Sequence, residues 1–343
     1  MAILVTGGAG FIGSHFIERL LSWTKAQIIC LDNFNDYYDP ALKRANVRSF
    51  VENPQVTLVE QSFCDAPAMQ RLFAVYSVDQ VVHLGAYAGV RASLTQPFMY
   101  QQANVGGTLA LLEAARLHPV SRFLSASSST VYGRGAAVPF REDAPLGTPM
   151  SPYGASKRAA EVFALTYFDL YQVPVVVLRP FSVYGPRLRP DLAMTIFTDA
   201  IARGRPMPLY GDGTVRRDFT HVSDICDGLL SALDAEGVVG EVINLGHNEP
   251  VEMRRLIAML EEALKKKAVL DHQPEVPGEM PVTCADLTKA QRLLGYRPQV
   301  ELSDGIGEFV DWYCATHLNR GAFYQTSGVA PENTQPNSNN GTE

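Results

Sequence analysis

Short runs of consecutive apolar and β-branched residues punctuate the first half of the chain. Each is closed by turn residues and followed by a stretch whose apolar positions recur at helical spacing. The runs are Ala2–Thr6, Gln27–Asp32, Val56–Glu60, Gln80–Leu84, Arg122–Ser125 and Val175–Arg179. They are nearly all apolar rather than alternating, the pattern of strands covered on both faces. Strands and helices in alternation predict an α/β fold with a Rossmann-type, doubly wound parallel sheet. After Arg179 the pattern breaks into Pro- and Gly-rich pieces, with a helical stretch near Ala193–Arg203, an apolar strand at Glu241–Leu245 and a helix near Met253–Lys266. Residues 1–180 are therefore expected to form the large domain, with 218–248 returning to it, and 181–217 and 249–320 to form a smaller C-terminal lobe. Residues 321–343 turn to Ser, Asn, Thr, Pro and Gly and predict a disordered tail.

Composition narrows the class. A hydrophobic fraction of 46% with 19% charged residues excludes disorder for the bulk of the 343 residues and argues against a fibrous protein. Lys and Arg number 29 against 36 Asp and Glu, a formal charge of −7. Phosphate contacts need clustered cations, and the one basic block, Lys265-Lys266-Lys267, reads as a solvated helix face, so no nucleic-acid partner is expected. Cys30, Cys64, Cys226, Cys284 and Cys314 are scattered, with no pair at metal-ligand or redox spacing. They read as thiols in a reducing compartment, and no metal is expected. No run approaches the roughly 20 apolar residues that cross a bilayer, so the expectation is a cytoplasmic protein with no membrane partner.

The first run leads directly into Gly7-Gly8-Ala9-Gly10-Phe11-Ile12-Gly13 and then into the helical pattern Ile17, Leu20, Leu21. Glycines let a backbone turn sharply and approach a pyrophosphate, whose charge a helix N-terminus favours. The second run ends at Asp32, where a carboxylate can accept ribose hydroxyls and would repel a 2′-phosphate. That order of strand, loop, helix and acid points to NAD rather than NADP. Farther along, Ser151-Pro152-Tyr153-Gly154-Ala155-Ser156-Lys157 has a capping serine and a first-turn proline, so a helix starts there. Tyr153 and Lys157, four apart, share one face of it. A tyrosine is too weak a base at neutral pH unless a cation stabilises its phenolate. Upstream, the fifth run ends in Ser125-Ala126-Ser127-Ser128-Ser129-Thr130-Val131-Tyr132-Gly133, hydroxyls at the C-terminal end of a strand.

Together these residues resemble the extended short-chain dehydrogenase/reductase family, in particular its nucleotide-sugar epimerases and dehydratases, up to about Arg320. Further matches are Asn104 in Ala-Asn-Val-Gly-Gly-Thr, Arg179-Pro180-Phe181-Ser182-Val183-Tyr184-Gly185-Pro186, and Arg216-Arg217-Asp218-Phe219-Thr220. The resemblance implies Ser128, Tyr153 and Lys157 as the catalytic set. It implies bound NAD held at Gly7, Gly10, Phe11, Ile12, Gly13, Asp32, Asn33, Asn35, Leu84, Ala86, Asn104, Tyr153 and Lys157. It implies a UDP-sugar held at Arg91, Ser127, Ser128, Thr130, Tyr153, Ser182, Arg189, Arg217 and Thr283, with Arg217 on the diphosphate. A homodimer through helices near Gln101–Ala115 and Pro152–Tyr171 is likewise implied. At the end of the third strand, Gln61-Ser62-Phe63-Cys64-Asp65 stands where relatives carry Gly-Asp for the adenine, which leaves open whether Asp65 takes that contact.

The reaction follows from what is missing. Where dehydratases of the family carry Asp-Glu and decarboxylases a Glu, this chain has Ser129-Thr130. No acid there drives elimination or loss of carbon dioxide, and epimerisation at carbon 4 through a transient 4-keto sugar remains. The runs Asp32-Asn33-Phe34-Asn35-Asp36-Tyr37-Tyr38-Asp39-Pro40, Ala88-Gly89-Val90-Arg91, Arg189-Pro190-Asp191 and Pro277-Gly278-Glu279-Met280-Pro281-Val282-Thr283 look like those of UDP-glucuronate 4-epimerases, with Arg189 or Ser182 placed for a hexuronate carboxylate. Arg187-Leu188 departs from the Trp-Gly common in that group. The alternatives are a UDP-glucose 4-epimerase, another nucleotide-sugar epimerase or decarboxylase, and a catalytically silent NAD-binding protein.

Overall fold

A computed structural model of the chain describes residues 1–274 and 280–318. The tail and the Pro277-Gly278-Glu279 segment lie outside these residues. Its strands are β1 (Ala2–Thr6), β2 (Gln27–Asp32), β3 (Val56–Glu60), β4 (Val78–His83), β5 (Arg122–Ala126), β6 (Val175–Pro180), β7 (Ser182–Tyr184), β8 (Pro206–Tyr210), β9 (Arg216–His221), β10 (Val242–Leu245), β11 (Pro250–Glu252) and β12 (Val269–Gln273). Seven of them form one sheet in the order β10-β6-β5-β4-β1-β2-β3, and every neighbouring pair is parallel. Chain order reverses on either side of β1, the switch point where such sheets open a crevice for a ligand. Helices cover both faces, and no residue of β1 is more than 2% exposed.

The expected strand at Gln80–Leu84 begins two residues earlier. Val78 pairs with Ala2, and the register slips between Ala2 and Ile3, so the polar Asp79 sits at an irregularity that broke the apolar run. Glu241–Leu245 contributes β10, which lies against β6 as the seventh strand. Between β6 and β10 the chain leaves the large sheet: β7 and β9 pair there and are joined by β11, from beyond β10, in a small separate sheet, and β8 pairs with β12, also from beyond β10. The helix after β11 stops at Leu264, and Lys265 has left-handed φ of 53°. The lysine block therefore follows the helix instead of lying along its face: Lys266 reaches the Ala202 carbonyl and Lys267 pairs with Glu261 at 2.7 Å.

Two buried polar contacts fix the elements that carry the site. Arg179 on β6 donates from Nε and Nη2 to Glu161 at 2.9 and 2.8 Å, both side chains about 5% exposed or less. This fork pins the helix Pro152–Tyr171 to the sheet, and removing either partner alone would leave a buried charge at a cost of about 3–5 kcal/mol. Asp218, fully buried at the end of the chain's excursion, accepts from the backbone N–H groups of His247, Asn248 and Ala285 at 2.7, 3.1 and 2.8 Å. One carboxylate thus ties β9 to the segments on either side of the following helices.

Candidate active site

The glycine loop joins β1 to the helix Phe11–Trp23. Gly7 has φ of +66°, and a Cβ placed on it would lie 2.9 Å from the Cα of Gly85, while one on Gly13 would lie 2.1 Å from the Gly7 carbonyl oxygen. Side chains are excluded from both positions by neighbouring backbone, so the turn is as close as a backbone can pass. Gly10 caps the helix with extended geometry and no side-chain bond. The first turn therefore presents main-chain N–H groups at the positive end of the helix, the donor set that suits a pyrophosphate. Phe11 and Ile12 stand in this first turn, and Leu84 and Ala86 follow β4 on the opposite side of the loop, Leu84 N donating to the Thr6 carbonyl at 3.3 Å.

Asp32 ends β2 with only 7% of its surface exposed. Its carboxylate accepts from Ala9 N at 3.2 Å and Phe34 N at 2.9 Å, which anchors the glycine loop to the second strand. Burial pushes the carboxyl above the ordinary aspartate range, opposed first by the charge of Lys43. Asn33 accepts from the Asn35 backbone and side chain at 3.3 and 2.9 Å. Asp65 is the N-cap of the helix Ala66–Tyr76, accepting from Ala68 N at 2.9 Å, with Gln61 at 3.4 Å. Pro67 at the start of that helix is the sequence signal for this cap.

The hydroxyl and amine groups converge around the start of the helix Pro152–Tyr171, where Ser151 Oγ accepts from Gly154 N at 3.1 Å as the cap. Ser128 stands beside the Tyr153 phenol and accepts from Thr130 Oγ1 at 2.9 Å. Burial raises the pKa of Tyr153; the Ser128 hydroxyl and the positive charge of Arg189 pull it down. Lys157, 6% exposed, turns its ammonium to the Ala126 carbonyl at 2.7 Å, and burial lowers its pKa to about 8 against the pull of Glu161. The groups that favour the phenolate against burial are thus Ser128 and Arg189. Beside them, the Ser127 hydroxyl is buried and has no hydrogen-bond partner among the described residues.

Asn104 sits in a π-helical turn, Gln101–Gly107, of the kind that recurs at functional sites. Its amide exchanges two bonds of 2.9 Å with the backbone of Tyr87 and donates a third, also 2.9 Å, to Ser156. It therefore positions the loop after β4 against the helix that carries Tyr153. The same turn is tied to β1 through a residue the sequence reading did not single out. Thr108 gives its proton to the Asn104 carbonyl at 2.6 Å, so it accepts from His83 Nε2 at 3.0 Å, and His83 Nδ1 accepts from Thr6 Oγ1 at 2.7 Å. That fixes a neutral imidazole, and burial pushes its pKa down to about 3.

The sugar end is built from distant segments. Arg189 donates to Asp191 from Nε at 2.9 Å and from Nη2 at 2.6 Å, and to the Ala88 carbonyl at 2.9 Å. Tyr37 donates to the same carbonyl at 2.7 Å and lies 3.0 Å from the Tyr100 hydroxyl, while the Tyr100 ring meets Tyr153 edge-on at 6.0 Å. Asp191, Tyr37 and Tyr100 complete this frame and were absent from the expected site. Ser182 lies on β7 opposite Phe219 of β9. Arg217 donates to the Met280 carbonyl at 2.7 Å, Thr283 accepts from Asp218 N at 3.4 Å, and the Arg91 guanidinium stacks 4.0 Å from the Tyr210 ring centre. The five cysteines are free thiols.

A profile of the family described as GDP-mannose 4,6 dehydratase matches residues 4–309. The chain is 41% identical over 331 residues to UDP-glucuronate 4-epimerase 4 of Arabidopsis thaliana, covering 91% of this chain and 75% of that one. It is 38% identical over 310 residues to the UDP-glucuronate 4-epimerase of Thermodesulfobacterium geofontis, covering 90% and 95%. Among solved structures, the UDP-glucuronic acid 4-epimerase of Bacillus cereus, in complex with UDP-glucuronic acid and NAD, superposes with a TM-score of 0.87 at 37% identity, covering 91% of this chain and 98% of that one.

Proposed function

The chain belongs to the GDP-mannose 4,6-dehydratase family of NAD-dependent epimerases and dehydratases, and from that premise we propose that it is an NAD-dependent UDP-glucuronate 4-epimerase, forming UDP-galacturonate. The supporting observation is the group beside the Ser128–Tyr153 pair. Thr130, a hydroxyl bonded to Ser128 at 2.9 Å, occupies the place where elimination or decarboxylation would need a carboxylic acid. Bound NAD supplies a reversible acceptor for the hydrogen on carbon 4 and is restored in each cycle. The chain's own residues do the rest. Tyr153 takes the proton of the 4-hydroxyl and returns it, with Ser128 holding the phenol and the sugar oxygen in register. Lys157 keeps a positive charge beneath the site up to a pH near 8. The 4-keto sugar then presents its other face, within the space framed by Tyr37, Tyr100 and Arg189.

The remaining assignments belong to the same reading. Gly7, Gly10, Phe11, Ile12 and Gly13 hold the pyrophosphate of NAD, Asp32 with Asn33 and Asn35 the adenosine ribose, and Leu84 and Ala86 line its nicotinamide half, positioned by Asn104. Arg91, Arg217 and Thr283 hold the UDP moiety, and Ser127 and Ser182 contact the sugar. Arg189 keeps two Nη1 protons without a protein acceptor among the described residues, which suits a hexuronate carboxylate sharing the guanidinium with Asp191. A homodimer through Gln101–Ala115 and Pro152–Tyr171 is supported by Phe98, Val162 and Leu170, exposed at 85%, 58% and 67% on this side of the fold. Free cysteines suit a cytoplasmic setting; among the described residues no helix is long and apolar enough to cross a membrane. Incubating the purified protein with UDP-glucuronate and resolving the products tests the reaction. UDP-galacturonate is expected; a UDP-pentose, or turnover of UDP-glucose alone, overturns it.

A further inference from the structure

Lys43 is a lysine where a lysine is costly. It lies on the helix Pro40–Asn46 and is 5% exposed, although a long cationic side chain normally keeps its ammonium in water. Two of its protons go to Asn35, at 3.0 Å to the carbonyl and 2.8 Å to Oδ1. Those acceptors are neutral, and neutral oxygens offset only part of the cost of burying an ammonium. The compensating charge is Asp32, itself buried and interacting with Lys43, each favouring the charged form of the other. The segment between them is a ladder of local bonds: Phe34 N to Asp32 at 2.9 Å, with Phe34 at a left-handed φ of 47°, and Tyr37 N to Asn35 Oδ1 at 3.2 Å. The buried cation holds this ladder at Asn35, and Asp32 holds it to the glycine loop by accepting from Ala9 N at 3.2 Å.

We propose that Lys43 is a positioning residue for the dinucleotide: its buried ammonium is the counter-charge that keeps the Asp32 carboxylate ionised and turned to accept the hydroxyls of the adenosine ribose. The proposal rests on the reading that the chain binds NAD, and its test separates the two. The other charges facing this pair are Arg44, Tyr38 and Cys30 on the Asp32 side, and Arg189 with the exposed Asp36 on the Lys43 side. Arg44 is already paired with Glu60 at 2.6 Å and stacked 3.6 Å from the Phe34 ring centre, so it does not replace Lys43.

NAD affinity, read by titration calorimetry from pH 5 to 9, is the measurement; binding by the unaltered protein tests the cofactor itself. Lys43→Met is expected to weaken NAD by roughly tenfold at pH 7, the scale of losing one charged partner. Without the ammonium Asp32 is protonated at higher pH, so the acid limb of binding moves upward. In an Asp32→Asn background the same substitution is expected to change affinity less than about twofold, because no charge remains to be held. An unchanged affinity, an equal loss at every pH, or an equal loss in the Asp32→Asn background overturns the proposal, the last two by showing that Lys43 only braces the loop. If Lys43→Met does not fold, Lys43→Gln, which keeps donors for Asn35 but carries no charge, is read by the same criteria.

Discussion

At the glycine loop the recognising groups are backbone atoms between Gly7 and Gly13 together with Asp32, whereas around Tyr153 they are side chains drawn from residues 37, 100, 128 and 189, of which Tyr37 and Arg189 meet on the Ala88 carbonyl. The first region is open: its helix cap carries no side-chain bond, and its closest contacts are backbone on backbone. The second is already bonded to itself, with Arg189 on Asp191 and Ala88, Tyr37 on Ala88, and Ser128 on Thr130. A backbone cradle needs no rearrangement to receive an anion and reads little beyond charge and shape. A frame of paired side chains must exchange partners when a substrate enters, and that exchange is where a choice among sugars can be made.

Substitutions can be ordered by how hard they press on this contrast. Tyr153→Phe removes the proton carrier and is expected to lower kcat by roughly 10²–10⁴ with a far smaller change in NAD affinity; an equal fall in NAD binding would show that the two regions are not separate. Gly13→Ala presses a methyl group against the Gly7 carbonyl, 2.1 Å away. Overpacking of about 1–3 kcal/mol predicts a loss of about 5–150-fold in NAD affinity by calorimetry, and a loss confined to UDP-sugar affinity would reverse the assignment.

Lys157→Met separates stability from function. The pKa of Lys157 is lowered from 10.5 to about 8, so the folded state carries the burden of a buried charge below pH 8 and sheds it between pH 8 and 10.5. Allowing for the lost bond to Ala126, the variant is expected to be inactive yet more stable at pH 7 by about 2 kcal/mol. In urea unfolding the gap should close as pH rises toward 10.5; a gap that widened would contradict the sign. Arg189→Ala is the finest probe: kcat/KM should fall about tenfold more for UDP-glucuronate than for UDP-glucose, the scale of one charge-assisted bond. Equal losses would leave Arg189 with only its structural contacts to Asp191 and Ala88.

The same contrast explains what could be read from the sequence. β1, β2, β3 and the helix Ala193–Arg203 fall where apolar period and turn residues placed them, because their burial is a local property of the pattern. Asp32 and the glycines were legible because the cofactor motif is contiguous. The π-helical turn at Gln101–Gly107 carries no such signature, and the three-residue strands β7 and β11 are too short to show a period. Arg189 meets Ala88 across 101 residues, and His83 meets Thr6 across 77. Contacts at that separation exist only after the sheet has formed, so no spacing along the chain announces Tyr37 or Tyr100 as members of the frame, or His83 as the tie to β1.

The position of β10 has a consequence for how the gene can be cut. The seventh strand of the large sheet is translated after β7, β8 and β9, so the sheet is unfinished until residue 245 has been made. A fragment ending at Pro180 would expose β6 as a bare edge of apolar residues, and such edges invite aggregation. The small sheet likewise draws β11 from beyond β10, and Asp218 holds segments that flank both. Chimeras between relatives that exchange one half for the other at a single junction should therefore express as insoluble protein, whereas exchanges with paired junctions on each side of β10 preserve both sheets. Recombination within such a chain is constrained by interleaving, and its specificity is free to change chiefly by substitution inside the frame.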